Sequence, residues 1–584
     1  MGNFQLEETK KLYKHFKEVS IAEFFERNRH LLGFDNPKKA LLMTVKELVD
    51  NSLDACEEAR ILPEVKITIK EVKKERYIVR VEDNGPGIPK EHIPNVFGKF
   101  LYGSKFHRFI ATRGRQGIGV SALTLYSQLT IGKPIKVISK TPNSNAYYFE
   151  IKIDTKRNEP KVLKFEERKW KKKSGTVVEV EIEGRYSKGK ASVDEYINLT
   201  ALVNPHAKIV YINPRGEKFV YNRITNEIPE LKEIKPHPHG IELGVLARML
   251  KETKEDSLLK FLIKEFSSVG KVAALNIIKK VNLDPNRKPQ SLKDEEIERL
   301  YDAMLNTKIR APPSKVLITL GEEKIAESLI NMYNPEFVSV KKRPPSTYRG
   351  LPFIVEVGIA YGNINTQKAQ ILRFANRVPL LYRSGECAIT QAVKEVNWKS
   401  YGLKVGDDNI PQEPMIIFVH ISSVWIPFTS ESKEAIAQYP EIIREIKLAL
   451  RDAAKNLYTY IRKKRMLSEI EEKYITLYGY SIEISESLSK ILNIDENIVR
   501  RNISERIKKE LKKDLIKIVN TIREIKTLVE SGKINEAKRF LKNLVKKLIE
   551  KGIIDEKELE NIIKVLIPQT IKNYGSTRKN KETS

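Results

Sequence analysis

Residues 46–55 read KELVDNSLDA, a run whose apolar positions recur at helical spacing. Glu47 and Asn51, four residues apart, therefore project from one face of a single helix. A carboxylate so placed can orient or deprotonate an attacking water. The amide oxygen beside it is a hard ligand for Mg2+ carrying nucleotide phosphates. The pair suits phosphoryl transfer to water, although the decapeptide alone also fits a solvent-facing helix that holds a Glu and an Asn by chance.

Two glycine-bearing loops follow. Tyr77 to Glu82 alternates apolar and charged residues as a strand does, and DNGPG (Asp83 to Gly87) closes it with strong turn chemistry. At a strand end, above glycines that allow close backbone approach, Asp83 can accept a hydrogen bond from the exocyclic amine of a purine. Read alone, DNGPG is equally an ordinary turn. The second loop, RGRQGIGVS (Arg113 to Ser121), leads into a helical run from Val120 to Leu129. Free N–H groups at that helix N-terminus suit phosphates, but a glycine-rich loop before a helix is a weak signal by itself.

In this order and spacing the three elements resemble the GHKL ATPase family; no GxxxxGK[ST] P-loop occurs. Four further stretches narrow the resemblance: SIAEFFERNRHLLGFDNP (Ser20 to Pro37), GKFLYGSK (Gly98 to Lys105), RFANRVPLL (Arg373 to Leu381) and WIPFTSESKEAIA (Trp425 to Ala437). These are similar to the B subunits of type IIB DNA topoisomerases (topoisomerase VI), across most of residues 20–465. The resemblance implies an α+β chain. Residues 1–19 form an N-terminal strap, 20–228 a GHKL-type (Bergerat) ATPase α/β sandwich, and 229–306 a helix-two-turns-helix insertion. Residues 307–465 form an α/β transducer with a four-stranded sheet and helices on one face; beyond them, where the resemblance gives out, the lysine-rich helical pattern reads as a C-terminal extension (466–584) with a disordered tail after Gly575. Strands are expected at 65–69, 77–82, 135–139, 177–182, 353–360, 371–374 and 415–421, and transducer helices at 385–396 and 434–464.

The same resemblance assigns roles. Glu47 polarises water, Asn51 holds Mg2+ through the nucleotide, and Asp83 reads adenine with Thr176, while Gly87 belongs to the same loop. Ser104 and Lys105 contact the nucleotide from a lid spanning 97–119. The backbone of Arg113, Gly114, Arg115, Gln116, Gly117, Ile118, Gly119 and Val120 cradles the phosphates of ATP. Lys433 is the switch lysine, reaching from the transducer to the γ-phosphate. Partners implied are double-stranded DNA, a second copy joined when ATP binds, and a topoisomerase VI A subunit that makes the break in an A2B2 assembly. Gly270 and Lys271, at a break between helices, are a candidate phosphate contact on DNA; a capping turn without a ligand fits them as well.

Composition agrees with a polyanionic partner. Lys and Arg number 105 against 76 Asp and Glu, a net charge of +29, which points to DNA. Heat-adapted proteins are also rich in Lys and Glu, but balanced ion pairing would not leave such an excess. No apolar run approaches the roughly 18 residues of a spanning helix, so no membrane role is expected. The charged first twenty residues lack a signal-peptide stretch, and the expected location is cytoplasmic, with the nucleoid. Cys56 and Cys387 form neither a disulfide framework nor a zinc site, and His237 and His239, in the linker PELKEIKPHPH, lack further ligands at metal spacing.

Competing classes are a MutL-like repair clamp, a gyrase B protein, a chaperone ATPase with protein clients, and a histidine kinase. Gyrase B would continue into an acidic metal-binding domain not seen after residue 465, and no phosphoacceptor helix precedes the ATPase motifs. Beyond residue 465 an apolar stripe from Ile503 to Val529 and an amphipathic stretch at 534–551 fit a helical bundle, a dock for a partner, or a nucleic-acid surface.

Overall fold

The computed structural model describes residue 16 and residues 18–105, 108–114, 117–430, 432–493 and 495–510. The N-terminal strap, most of the stripe beyond Ile507, the amphipathic stretch at 534–551 and the tail after Gly575 lie outside these residues.

The first sheet contains β1 (Glu64–Lys73), β2 (Arg76–Glu82), β3 (Ile135–Lys140), β4 (Ala146–Asp154), β5 (Glu159–Arg168), β6 (Gly175–Glu183), β7 (Lys208–Ile212) and β8 (Lys218–Tyr221). Their spatial order is β5-β4-β3-β6-β2-β1-β7-β8, with β1 and β7 parallel and the other neighbours antiparallel. Alternation sets the two faces. β2, RYIVRVE, buries Tyr77, Val79 and Val81, while Arg76 and Arg80 on its other face pair across strands with Glu181 and Glu179. Helices Pro37–Glu58 and Gly119–Thr130 cover the apolar face, giving a two-layer sandwich. The first of them starts where Asn36 accepts the Lys39 amide at 2.9 Å and Pro37 takes the first turn.

Four helices between Leu243 and Leu305 (Leu243–Glu252, Leu258–Glu265, Lys271–Lys280 and Asp294–Leu305) enclose a separate apolar cluster. Gly270 caps the third, after the break expected there. The rings of His237 and His239 bond the carbonyls of Arg310 and Thr307, each at 3.0 Å, which ties the linker to the far end of this bundle.

The second sheet differs from the four strands and single helical face expected of it. It holds six: β9 (Phe337–Lys342), β10 (Ser346–Tyr348), β11 (Leu351–Tyr361), β12 (Gln370–Ala375), β13 (Val378–Pro379) and β14 (Met415–Ser423). Both faces are covered. One meets helices Ala388–Lys394 and Pro440–Leu492. The other meets helix Glu322–Tyr333 and the end of helix Val193–Val203, whose first turns belong to the other sheet's core. The cause is in the strands, because β11 and β14 are near-continuous apolar runs, as strands buried on both sides are.

Two helix expectations also shift. The helix expected at 434–464 begins at Pro440 and runs to Leu492, because Phe428 and Ile436 pair as a β-bridge and hold the intervening chain out of helix. The one expected at 385–396 contracts to Ala388–Lys394 behind a 3-10 turn. Phe418, fully buried on the face that meets Val193–Val203, has its ring centroid 4.8 Å from that of Phe374, the two rings tilted by 33°. Phe418→Ala should cost about 3–5 kcal/mol, seen as a lowered Tm in calorimetry; Val162→Ala, at an exposed position of β5, should leave Tm within about one degree.

Candidate active site

A cavity of about 610 Å3 lies where β2 ends, walled by helices Pro37–Glu58 and Gly119–Thr130. Glu47, Asn51, Asp83, Gly87, Ser104, Lys105, Gly114, Gly117, Ile118, Gly119, Val120, Thr176 and Lys433 all line it. Helical periodicity turns Glu47 and Asn51 to the same side, and the order of the sheet brings Thr176 of β6 beside Asp83, the residue after β2. Arg115 and Gln116 lie outside the described residues. Gly270 and Lys271 do not border the cavity and sit in the separate helical cluster.

Asp83 is held by three donors. Ser52 Oγ donates to Oδ2 at 3.0 Å, and the amides of Gly85 and Thr176 donate to Oδ1 at 2.9 and 3.0 Å. Burial pushes its carboxyl pKa up, and these donors pull against that without reversing it. Oδ2 retains room for another donor from the cavity. Thr176 Oγ1 lies 3.2 Å from Ser139 Oγ.

Glu47 faces the start of helix Gly119–Thr130 so closely that a Cβ on Gly119 would fall 1.9 Å from its Oε2. Glycine is therefore required for that helix N-terminus to approach the carboxylate. Behind Glu47, Lys46 Nζ stands 3.7 Å from Glu47 Oε1 and 3.5 Å from Asp50 Oδ2, and Tyr196 donates to Asp50 at 2.9 Å. Among the described residues the Asn51 side chain makes no hydrogen bond, so its amide oxygen is free for a cation.

The backbone amide of Arg113, expected among the phosphate donors, bonds Asp54 Oδ1 at 3.3 Å in this conformation. The Arg113 guanidinium is fully buried behind the cavity, 2.7 Å from Asp54 and 2.6 Å from Glu57, and it also bonds Asn204. Glu57 in addition takes Arg377 at 2.6 and 2.9 Å and His206 at 2.8 Å. Burial would raise both carboxyls; Arg113 and Arg377 outweigh it at Glu57, and Lys105 and Arg113 hold Asp54 down at about 2. Lys105 meets Asp54 at 3.0 Å and Glu58 at 3.3 Å. Its amine, expected on the nucleotide, is thus paired with protein carboxylates in this conformation.

Lys433 enters the cavity from the loop before helix Pro440–Leu492, with a left-handed φ of +53°. That backbone costs a residue with a side chain about 1–2 kcal/mol, which the surrounding packing must offset. Its amine donates to the Arg113 carbonyl at 2.9 Å. Burial lowers its pKa; Glu47 opposes the shift and Lys46 adds to it. An ammonium in this state gains from any anion that reaches it.

Sequence reasoning missed Asp54, Glu57, His206, Asn376 and Arg377 as parts of the site. Signals existed for three of them, since Asp54 lies within KELVDNSLDA, and Asn376 and Arg377 within RFANRVPLL. His206 and Glu57 carried none.

Sandwich, glycine loops and cavity define the class of histidine kinase-, DNA gyrase B- and HSP90-like ATPases, whose family model matches residues 36–182, and the fold implies ATP binding. Residues 312–473 match the model of the topoisomerase VI B subunit transducer. The B subunit of the type 2 DNA topoisomerase 6 of Archaeoglobus fulgidus is 48% identical over 455 residues, 77% of this chain and 75% of that protein. That of Methanococcoides burtonii is 46% identical over 489 residues (83% and 79%), and that of Metallosphaera sedula 38% over 522 residues (88% and 96%). The chain belongs to the family of type 2 DNA topoisomerase 6 B subunits.

The Arg113–Glu57–Arg377 cluster is the test of this geometry. Arg377→Ala strips a buried carboxylate of one of its two guanidinium partners and should destabilise the protein by about 3–5 kcal/mol in denaturant or thermal unfolding.

Proposed function

We propose that this chain is the ATP-operated gate of a type IIB DNA topoisomerase, closing as a dimer around one duplex and passing it through a break made by a partner A subunit. The observation that carries the reading is Lys433. It is a cation from the second sheet's side of the molecule, half-buried in the lining of the cavity that the first sheet builds, and it contacts the loop from Arg113 to Val120. A phosphate bound there would be felt by both bodies at once.

The roles follow from position. Asp83, with Thr176, accepts the adenine amine; the amides of the loop after Gly114, up to Val120, hold phosphates, those of Arg113 and Gly114 being bonded to Asp54 at 3.3 and 3.0 Å. Asn51 fits Mg2+ carried by the nucleotide, through an amide oxygen that no described residue occupies; the ion would neutralise phosphate charge. Glu47 orients and polarises the attacking water. Ser104 and Lys105 join the nucleotide once Lys105 exchanges Asp54 and Glu58 for phosphate. Catalysis of this kind is positioning and charge stabilisation.

Within this reading residues 20–228 are the ATPase domain, 229–306 the helix-two-turns-helix domain, and 307–465 the transducer, with 466–584 as a helical extension. Residues 1–19 reach across to a second copy when ATP binds, and Gly270 and Lys271 touch DNA phosphates. Assembly is two A with two B subunits, working on DNA in the cytoplasm. The net charge of +29 supports a DNA partner over the protein clients of a chaperone. No helix among the described residues is long and apolar enough to cross a membrane.

Glu47→Ala should retain ATP binding by calorimetry while turnover falls by about 100-fold or more, the range of a lost general base; a wild-type rate would remove Glu47 from that role. The assembly is tested by relaxing supercoiled plasmid with ATP. The chain mixed with a topoisomerase VI A subunit should relax it and the chain alone should not, and DNA that leaves ATP turnover unchanged would favour a protein-client ATPase.

A further inference from the structure

Lys433 must be aimed, and its neighbour in sequence is tied down on both sides. The Glu434 side chain is 3% exposed, with Oε1 2.5 Å from Lys39 Nζ and Oε2 3.0 Å from Arg383 Nε. These are ion pairs lying off the hydrogen-bonding directions of the two oxygens. Lys39 is itself buried, paired with Asp35 at 2.7 Å. The two cations come from different bodies: Lys39 from the first turn of the helix that carries Glu47 and Asn51, Arg383 from the segment after β13.

A second contact seats the same loop. Gly33, with φ of +82°, lies so near Ser432 that a Cβ added to it would stand 3.1 Å from the Ser432 Cβ. The stretch LLGFDNP, singled out in the sequence but barely used by the nucleotide site, thus supplies a seat for residues 432–434. A buried carboxylate is stable only where its counter-charges meet it. Its position therefore registers the backbone of Lys433, one peptide away, against the helix of Glu47 and Asn51.

We propose that Glu434 is a positioning residue for ATP hydrolysis, its clasp on Lys39 and Arg383 holding Lys433 in register with the cavity. The proposal rests on the reading of Lys433 as the group that engages phosphate. If the second sheet moves relative to the first, the clasp is one of the contacts that must stretch or open, and being next to Lys433 it also sets how readily Lys433 leaves.

The test uses the full chain, steady-state ATP turnover, and nucleotide affinity measured with a fluorescent ATP analogue. Glu434→Gln should lower kcat about tenfold while nucleotide Kd changes less than about threefold. Added to Lys433→Ala, it should lower the rate no further, because both changes remove the same function. A wild-type kcat in Glu434→Gln overturns the proposal. So do losses that multiply in the double variant, since a residue acting only through packing would slow Lys433→Ala as well. Lys39→Met opens the clasp from the helix side and repeats the test should Glu434→Gln fail to fold; the same fall, again absent in the Lys433→Ala background, is expected, and multiplying losses overturn the proposal. A wild-type rate in Lys433→Ala alone defeats the reading of Lys433 and the proposal with it, whatever Glu434→Gln does.

Discussion

Glu57 is the point at which three parts of the chain are fastened together. Its carboxylate sits at the end of helix Pro37–Glu58 and takes Arg113 from the loop before Gly114, Arg377 from the turn between β12 and β13, and His206 from the segment before β7. All four side chains are buried. A lone charge in such surroundings would be strongly disfavoured, so the arrangement holds only while every partner is present. Nearby, Asn376 donates to the Thr112 carbonyl at 3.2 Å and to the Ser423 carbonyl at 2.9 Å, joining the phosphate loop to the second sheet through the backbone as well. The floor of the cavity and the second sheet therefore share one polar anchor.

That anchor explains how two separately built sheets act on one small space. The first sheet supplies Asp83 and Thr176 and supports the helix of Glu47 and Asn51; the second contributes Arg377 beneath the cavity and Lys433 within it. Helix Val193–Val203 packs into the cores of both. Two of the links are electrostatic and respond to charge, whereas the helix contact is apolar and does not. A bound polyanion would therefore act on the Lys433 link while leaving the apolar one in place.

Much of this was readable from the chain. KELVDNSLDA carries helical periodicity and chemistry in the same ten residues, and DNGPG ends a strand that alternates cleanly, so local signals marked Glu47, Asn51 and Asp83; Thr176, and the expectation that all four meet in one cavity, came from the family resemblance. The double coverage of the second sheet was present too, in the near-continuous apolar runs of β11 and β14, but the expectation of a single helical face overrode it. What could not be read was the ion cluster. Glu57 and Arg377 are 320 residues apart, and neither lies in a pattern that distinguishes a buried charge from a solvated one. Arg113 shows the converse: its backbone, in a glycine loop, was expected at the phosphates, while both its amide and its long side chain turn to carboxylates in this conformation. The start of helix Pro440–Leu492 was misjudged because the bridge between Phe428 and Ile436 depends on chain pairing rather than composition.

Helix Pro440–Leu492 runs for 53 residues, about 80 Å at 1.5 Å per residue. Its apolar packing on the second sheet ends at Ile461, and polar contacts follow to Arg465, which donates to the Gly402 carbonyl at 2.7 Å, so the helix extends about 45 Å past the last residue of the apolar cluster. A rigid arm of that length multiplies angle into distance: a tilt of about 10° at the sheet carries its tip roughly 8 Å. A change of angle too small to disturb the packing near Lys433 would therefore appear at the far end of this helix as a displacement of several ångströms.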